Sequence, residues 1–91
     1  MATTDITPTM PLADTVDLML SDDPKDQLKA EYYQAENRYI ALDDFLVAWD
    51  LGRLDPAPPD NYRYIYSELL GNTRNYMLSL KKRANIEGVE L

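Results

Sequence analysis

Carboxylates are the side chains whose number and spacing first suggest chemistry in this 91-residue chain, which has 16 Asp and Glu residues but no His and no Cys. The lack of imidazole and thiolate groups removes the commonest zinc ligands and the commonest general base. Glu36, Asp43 and Asp50 recur every seven residues, so on a helix neighbouring members lie about 10 Å apart, too far to share one cation. We therefore predict no metal site and interpret these carboxylates, together with Asp44, as a solvated helix face.

The remaining residue types offer no recognisable catalytic arrangement. We find no nucleophile paired with a base, no Gly-rich phosphate loop and no hydrolase or deaminase signature. The sequence therefore predicts a protein that is not an enzyme, needs no cofactor and works through its surfaces.

Basic and aromatic side chains suggest a different chemistry, the binding of a phosphate-bearing ligand. Residues 1–59 hold 12 acidic and 4 basic residues, whereas residues 60–85 hold 2 acidic and 5 basic residues. Guanidinium and ammonium groups bind phosphate, and aromatic rings stack on bases. The candidate ligand-binding residues are Tyr33, Arg38, Tyr64, Arg74, Lys81, Lys82 and Arg83. The alternative is structural, because cations near a helix C-terminus offset its dipole and tyrosines pack along helix seams.

The net charge of −7 restricts the partners that the chain can bind. It argues against direct binding to duplex nucleic acid, where affinity depends mainly on phosphate neutralisation. An acidic helix face that docks on a basic protein, as a DNA mimic would, remains open. The N-terminal residues show neither a positively charged start nor a long apolar run, so we expect no signal peptide and no membrane span. Together with the lack of cysteine, this favours the cytoplasm.

Helices must position these side chains, because apolar residues recur at alternating spacings of four and three along residues 24–50. Asp23 followed by Pro24 is a typical helix start, and Gly52 with the prolines after it predicts a stop near Asp50. The seam that we predict to be buried comprises Leu28, Tyr32, Ala35, Tyr39, Leu42, Leu46 and Trp49.

A second helix is predicted over residues 60–84, with Asp60 as its N-cap, after a proline-rich linker at residues 51–59. Gly88 interrupts the pattern, so residues 85–91 are predicted to be a C-terminal tail. The seam of this helix comprises Tyr62, Tyr66, Leu69, Thr73, Tyr76 and Leu80, with Leu70, Met77 and Ala84 on one flank. Two helices of similar length and a short connection predict an all-α fold built on an antiparallel two-helix hairpin.

The segment before the hairpin is predicted to be a flexible tail at residues 1–10 and a short helix at residues 12–20, within a single domain at residues 11–91. Leu12, Val16, Met19 and Leu20 share one face of this short helix. A helix of this length is stable only when it lies on something larger. We therefore expect either an arm exchanged between chains or a lid on the same chain, and we favour the lid.

Helix 1 also carries a second apolar stripe, at Tyr33, Ile40 and Val47. A helix that is apolar on two sides cannot bury both sides against one partner helix. We therefore expect homo-oligomerisation to complete the fold. The candidate interface residues are Leu12, Val16, Leu20, Tyr33, Ile40 and Val47.

Two sequence blocks fall at the start of the first helix and at the end of the second. The first is residues 19–34, MLSDDPKDQLKAEYYQ, followed by Arg38 and Tyr39, and the second is YMLSL at residues 76–80 with RANIEGVEL at residues 83–91. Both blocks resemble a family of small proteins from bacteriophages and prophages that is described only as related to a protein of crAss-like phages. Pro24 departs from the Tyr expected there, but a proline in the first turn is compatible with a helix.

The resemblance implies a helical hairpin and an accessory role in a phage, with no activity to transfer. Small non-enzymatic phage proteins often block a host nuclease or effector, or sequester a nucleotide immune signal. Our hypothesis is an oligomeric, cytoplasmic phage protein that antagonises bacterial defence by binding a host defence protein or a nucleotide second messenger. The alternative is a phage structural or assembly protein that uses the hairpin for oligomerisation. A DNA-binding regulator is disfavoured by the charge and by the lack of helix-turn-helix spacing.

Overall fold

A computed structural model describes residues 7–91 of the chain. Its regular elements are helical: α1 spans Leu12–Met19, α2 spans Pro24–Asp50, a 3₁₀ turn spans Asp60–Tyr62 and α3 spans Arg63–Glu87. The predicted all-α fold class is therefore confirmed for the part of the chain that the structure describes. None of the helices within residues 7–91 combines the length and the apolar character needed to cross a bilayer.

Local interactions define both ends of α2. The Asp23 carboxylate accepts a 2.9 Å hydrogen bond from the Lys25 amide, which satisfies a free N–H group of the first turn. At the other end, Gly52 adopts a φ of 70°, and the Arg53 amide donates to the Ala48 carbonyl at 2.8 Å. This left-handed glycine satisfies the last carbonyls of the helix and turns the chain into the linker.

The end of α3 differs from the prediction. The sequence suggested a stop near Ala84 with residues 85–91 as a tail, but the helix continues to Glu87. Gly88 then adopts a φ of 70°, and the Val89 amide donates to the Ala84 carbonyl at 2.8 Å. Because Val89 is buried in the core, the segment after the helix is anchored.

The start of α3 also differs, because a short 3₁₀ turn precedes it. Asp60 begins this turn and its side chain does not act as the predicted cap, since neither Asp60–Tyr62 nor α3 has a side-chain cap. The chain is held here by an ion pair instead. The guanidinium of Arg63 donates to both carboxylate oxygens of Asp50, at 3.1 and 3.0 Å, and this pairing lowers the pKa of Asp50.

The last residues of the predicted flexible tail at residues 1–10, Thr9 and Met10, contact α2. Residues 1–6 of that tail lie outside the described residues. The Thr9 amide donates to Glu36 at 2.7 Å, and the Asn37 side chain donates to the Met10 carbonyl at 2.9 Å. Met10 also packs against the core. Polar groups on α2 therefore anchor residues that have little apolar surface of their own.

Helix α2 is the centre of the fold, because α1 and α3 both pack on it while making no contact with each other within residues 7–91. Near the start of α2, the core contains Leu28, Tyr32, Tyr33, Ala35, Leu80, Ala84 and Val89. Near its end, Phe45 and Trp49 contact Tyr66 with ring centroids 4.9 and 6.0 Å apart. The start of α2 therefore lies beside the end of α3, and the end of α2 lies beside the start of α3. The two helices run in opposite directions.

Helix α1 lies on α2 of the same chain, with its apolar face turned outwards. Thr15 is fully buried, and its hydroxyl donates to the Leu12 carbonyl at 2.7 Å and accepts from the Gln34 amide at 3.1 Å. The apolar residues Leu12, Val16, Met19 and Leu20 are all exposed. The hydrogen bond from Gln34 to Thr15 thus favours the orientation in which the Thr15 side of α1 faces α2.

The core contribution of α3 is testable with two leucines two residues apart. Leu80 is 5% exposed and Leu78 is 46% exposed. We expect Leu80→Ala to lower the free energy of unfolding by about 2–5 kcal/mol, because it leaves a cavity among packed side chains. Leu78→Ala is the matched control, with an expected loss below about 1 kcal/mol. Urea-induced unfolding followed by circular dichroism at one protein concentration checks both, and equal losses would contradict the observed packing.

Candidate binding groove

An open groove of about 960 Å³ lies over α2, between α1 and α3. Leu12 contributes from α1, and α3 forms the opposite wall with Leu69, Asn72, Thr73 and Tyr76. The floor comprises Glu31, Gln34, Ala35, Asn37, Arg38 and Ala41 of α2. The groove exists because α1 and α3 do not meet over this side of α2.

Helical periodicity explains why these residues share one surface. The floor residues recur at spacings of three and four along α2, and the wall residues of α3 do the same. Each set therefore forms one continuous stripe on its helix. Residues 31–41 extend about 15 Å along α2, or close to three helical turns.

The groove has apolar edges that are exposed to solvent. Leu12 is 55% exposed on one side, while Leu69 and Tyr76 are 42% and 49% exposed on the other. Val16 lies one turn after Leu12 on α1 and is also exposed. Large apolar side chains that line one concave surface and remain exposed are typical of a docking site.

The floor carries a charge of each sign. The Tyr76 hydroxyl donates to the Glu31 carboxylate at 3.2 Å. Burial, followed by the charge of Glu31 and this hydrogen bond, raises the pKa of Tyr76. Arg38 is exposed and has no ion-pair partner among residues 7–91. Two opposite charges, Arg38 and Glu31, therefore lie about 10 Å apart on the same face of α2.

A second, smaller groove of about 200 Å³ contains two of the predicted ligand-binding residues. Arg74 and Lys81 line it together with Tyr32 and Tyr39. The ammonium nitrogen of Lys81 lies 5.7 Å from the centroid of the Tyr32 ring, within the range of a cation–π interaction. Two cations and two tyrosines are thus brought together on one surface of the α2–α3 pair.

The other predicted ligand-binding residues do not join this cluster. Tyr33 is buried in the core, and Arg38 lies in the larger groove. Tyr64 is exposed near the start of α3, far along the helix from Lys81, and Lys82 lines neither groove. Arg83 donates to Glu87 at 2.7 Å. Within one chain these residues are therefore divided between the core, the two grooves and other parts of the surface, and the predicted pocket between subunits stays a prediction.

The predicted oligomer interface is also distributed differently. Tyr33 is not a surface residue, since the core that contains it also contains Val89 and is contacted by Met10. Its burial, with smaller effects from Glu36 and Tyr32, raises the pKa of Tyr33. Ile40 and Val47 are half-buried, whereas the α1 candidates Leu12, Val16 and Leu20 are exposed. Both α1 and α3 therefore carry large apolar side chains that are exposed.

Sequence reasoning missed Leu69 and Tyr76 as surface residues because both belong to the predicted seam of α3. The residues of α3 turned towards α2 instead include Leu70, Met77 and Ala84, which were predicted to be a flank. Helix α3 is therefore rotated about its own axis relative to the prediction. The width of the apolar stripe on α3 could have indicated this difference. A helix with a wide apolar stripe can pack in more than one rotation about its own axis.

No family model, no curated protein and no solved structure matches this chain. Within the described range, no three His, Cys, Asp or Glu side chains come together in a way that could hold a metal ion. The candidate sites are therefore interpreted from their own geometry.

The exposure of the groove floor can be measured by thiol labelling, since the chain has no native cysteine. Ala41 and Ala35 both line the groove, but Ala41 is exposed and Ala35 is buried. In dilute solution we expect Ala41→Cys to react rapidly with a maleimide and Ala35→Cys to react much more slowly. Rapid labelling of both variants under native conditions would contradict the described packing. Slow labelling of Ala41→Cys in dilute solution would show that another part of the chain covers the floor.

Proposed function

We propose that this chain is a non-enzymatic binding protein whose working surface is the groove between α1 and α3, and that the groove receives a helix from a protein partner. The observation that carries this proposal is the pairing of exposed apolar walls, Leu12 on one side and Leu69 and Tyr76 on the other. Burial of these side chains by a partner would supply the main driving force for association.

The dimensions of the groove favour a helix over a small molecule. Its volume of about 960 Å³ is near the upper limit for a small-ligand pocket, and it is open to solvent. The α3 wall repeats with the three-and-four spacing that suits an amphipathic helix laid in a groove. The amide nitrogens of Gln34 and Asn37 donate within the chain, but their amide oxygens and the Asn72 side chain would fix the register of such a helix.

The sequence resemblance implies a phage context. In that context the proposed partner is a host defence protein in the bacterial cytoplasm, and binding of its helix in the groove antagonises antiviral defence. The net charge of −7 supports a basic target. The alternative is a phage structural or assembly protein, in which the same groove joins copies of the helical hairpin.

Infection assays distinguish these roles when the gene is replaced by groove variants. We expect Leu69→Glu to abolish the advantage of the phage in a defended host and to leave growth in a defenceless host unchanged, because a charge on the groove wall blocks docking. Leu78→Glu is the matched control, since Leu78 is similarly exposed on the same helix but lines only the smaller groove. Loss of particles in the defenceless host would support the assembly role, and equal behaviour of both variants would contradict docking in the larger groove.

A second candidate function is sequestration of a nucleotide signal, and the cluster of Arg74, Lys81, Tyr32 and Tyr39 favours it. The volume of about 200 Å³ is small for a nucleotide, so a second chain would have to complete the site. Isothermal titration against a panel of cyclic nucleotides and ADP-ribose derivatives tests this function. A ligand of this site should lose at least about tenfold in affinity in Arg74→Ala and keep its affinity in Lys25→Ala, because Arg74 would supply a charge-assisted bond. Absence of heat across the panel would eliminate this candidate.

A further inference from the structure

We propose that the helix received by the larger groove runs parallel to α2 and carries a basic residue followed, seven residues later, by an acidic residue. The basic residue pairs with Glu31 and the acidic residue pairs with Arg38, both of which line the floor of the groove. This inference rests on the proposed function, because it assigns the direction and the charge pattern of the partner helix.

The directions of α1 and α3 determine the direction of the incoming helix. Thr15 of α1 bonds to Gln34, whereas Ser21, after the end of α1, bonds to Asp26, so α1 runs antiparallel to α2. Helix α3 is also antiparallel to α2. A helix laid between α1 and α3 has these two as its neighbours and lies diagonally across from α2. In an up-down-up-down bundle neighbouring helices alternate in direction, which sets opposite ends of their dipoles side by side. The incoming helix is therefore parallel to α2.

The charges on the groove floor select the charges of that helix. Glu31 and Arg38 are two helical turns apart, or about 10 Å, on the same side of α2. Two side chains seven residues apart on an aligned partner helix match this distance. Charge complementarity requires a base over Glu31 and an acid over Arg38. Because the partner helix is parallel to α2, its basic residue comes first in its sequence.

Both floor charges are available to a partner. Arg38 is exposed and has no ion pair within residues 7–91. Glu31 is exposed, and the Tyr76 hydroxyl bonds to its Oε2 atom, so Oε1 has no hydrogen bond in this part of the chain. Arg83 is near enough to Glu31 for the two charges to interact, but its guanidinium donates to Glu87 at 2.7 Å. A cation from a partner can therefore pair with Glu31.

The apolar walls add two positions to the pattern of the partner helix. On a helix, the third and fourth residues after the basic residue lie on either side of the line that joins it to the acidic residue. One of them therefore faces Leu12 on α1, and the other faces Leu69 and Tyr76 on α3. The partner pattern is thus a base, two residues of any type, two apolar residues, two residues of any type and an acid.

Synthetic peptides of about 20 residues, long enough to form helices, test the charge pattern. The Lys–Glu peptide carries the proposed pattern with leucines at its apolar positions, and the Lys–Lys and Glu–Glu peptides differ from it only in one charge. In fluorescence anisotropy we expect Arg38→Glu to bind the Lys–Glu peptide at least about tenfold more weakly than the wild type does, because an acid then faces an acid. The Lys–Lys peptide should restore binding to Arg38→Glu. The Glu–Glu peptide should likewise be preferred by Glu31→Arg.

Two control variants change the net charge equally outside the larger groove. Arg74→Glu lies in the smaller groove, and Glu68→Arg changes an exposed residue that lines neither groove. Both should keep the preference of the wild type for the Lys–Glu peptide. Preferences that follow net charge alike in all four variants would overturn the inference.

Fluorescence quenching reads the direction of the bound helix. A fluorophore on Lys25→Cys marks the exposed start of α2, and a quencher is placed at either end of the Lys–Glu peptide. We expect the N-terminal quencher to act more strongly, because a parallel helix about 30 Å long, centred on the groove, places its N-terminus beside the start of α2. Stronger quenching from the C-terminal end would overturn the inference.

The variant Leu69→Glu separates this inference from the proposed function. It should abolish binding of every peptide, because it places a charge on the groove wall. Equal binding of the three peptides by the wild type, lost in Leu69→Glu, would refute the charge pattern and retain the groove as a docking site. Binding that persists in Leu69→Glu, or binding of none of the peptides by the wild type, would contradict the proposed function itself.

Discussion

Packing of α1 and α3 against different sides of α2 is the constraint on which the rest of the structure depends. Leu28 is fully buried in a core with Leu80 and Ala84, whereas Thr15 is fully buried where α1 meets α2. Within residues 7–91 the backbones of these two neighbours do not approach each other, so this part of the chain leaves one side of α2 open. In a four-helix bundle that position belongs to another helix. The groove is thus a consequence of an incomplete helical layer.

The way in which α1 is attached leaves apolar surface available for association. Hydrogen bonds join Thr15 to Gln34 and Met10 to Asn37, and each bond contributes roughly 1 kcal/mol net. Because the bond to Gln34 holds Thr15 against α2, Leu12 and its apolar neighbours face solvent. Full burial of such a side chain contributes about 1.5–3 kcal/mol to the free energy of binding. The total from buried side chains must exceed the entropic cost of association. Association is therefore favoured for a partner that buries several of these apolar side chains at once.

The chemistry of the surface is divided between the two grooves. The larger groove combines apolar walls with Glu31 and Arg38, which suits a protein helix. The smaller groove combines Arg74 and Lys81 with tyrosine rings, which suits a phosphate-bearing group. The two sets of lining residues do not overlap, so occupation of one groove leaves the side chains of the other free. A single short chain therefore presents two chemically distinct surfaces.

The sequence by itself determined that the chain forms helices and where α2 begins and ends, because periodicity, the Asp23 cap and Gly52 act over a few residues. It also indicated that more apolar surface exists than two helices can bury. Only the tertiary structure decided which side of each helix packs against its neighbour and which side is exposed. Helix α3 turns Leu70 and Met77 towards α2 and leaves Leu69 and Tyr76 half exposed at the groove. Helix α1 buries Thr15 and leaves Leu12 exposed. Rotation of a helix about its axis depends on non-local partners, and a helix with a wide apolar stripe and amphipathic tyrosines is compatible with several rotations.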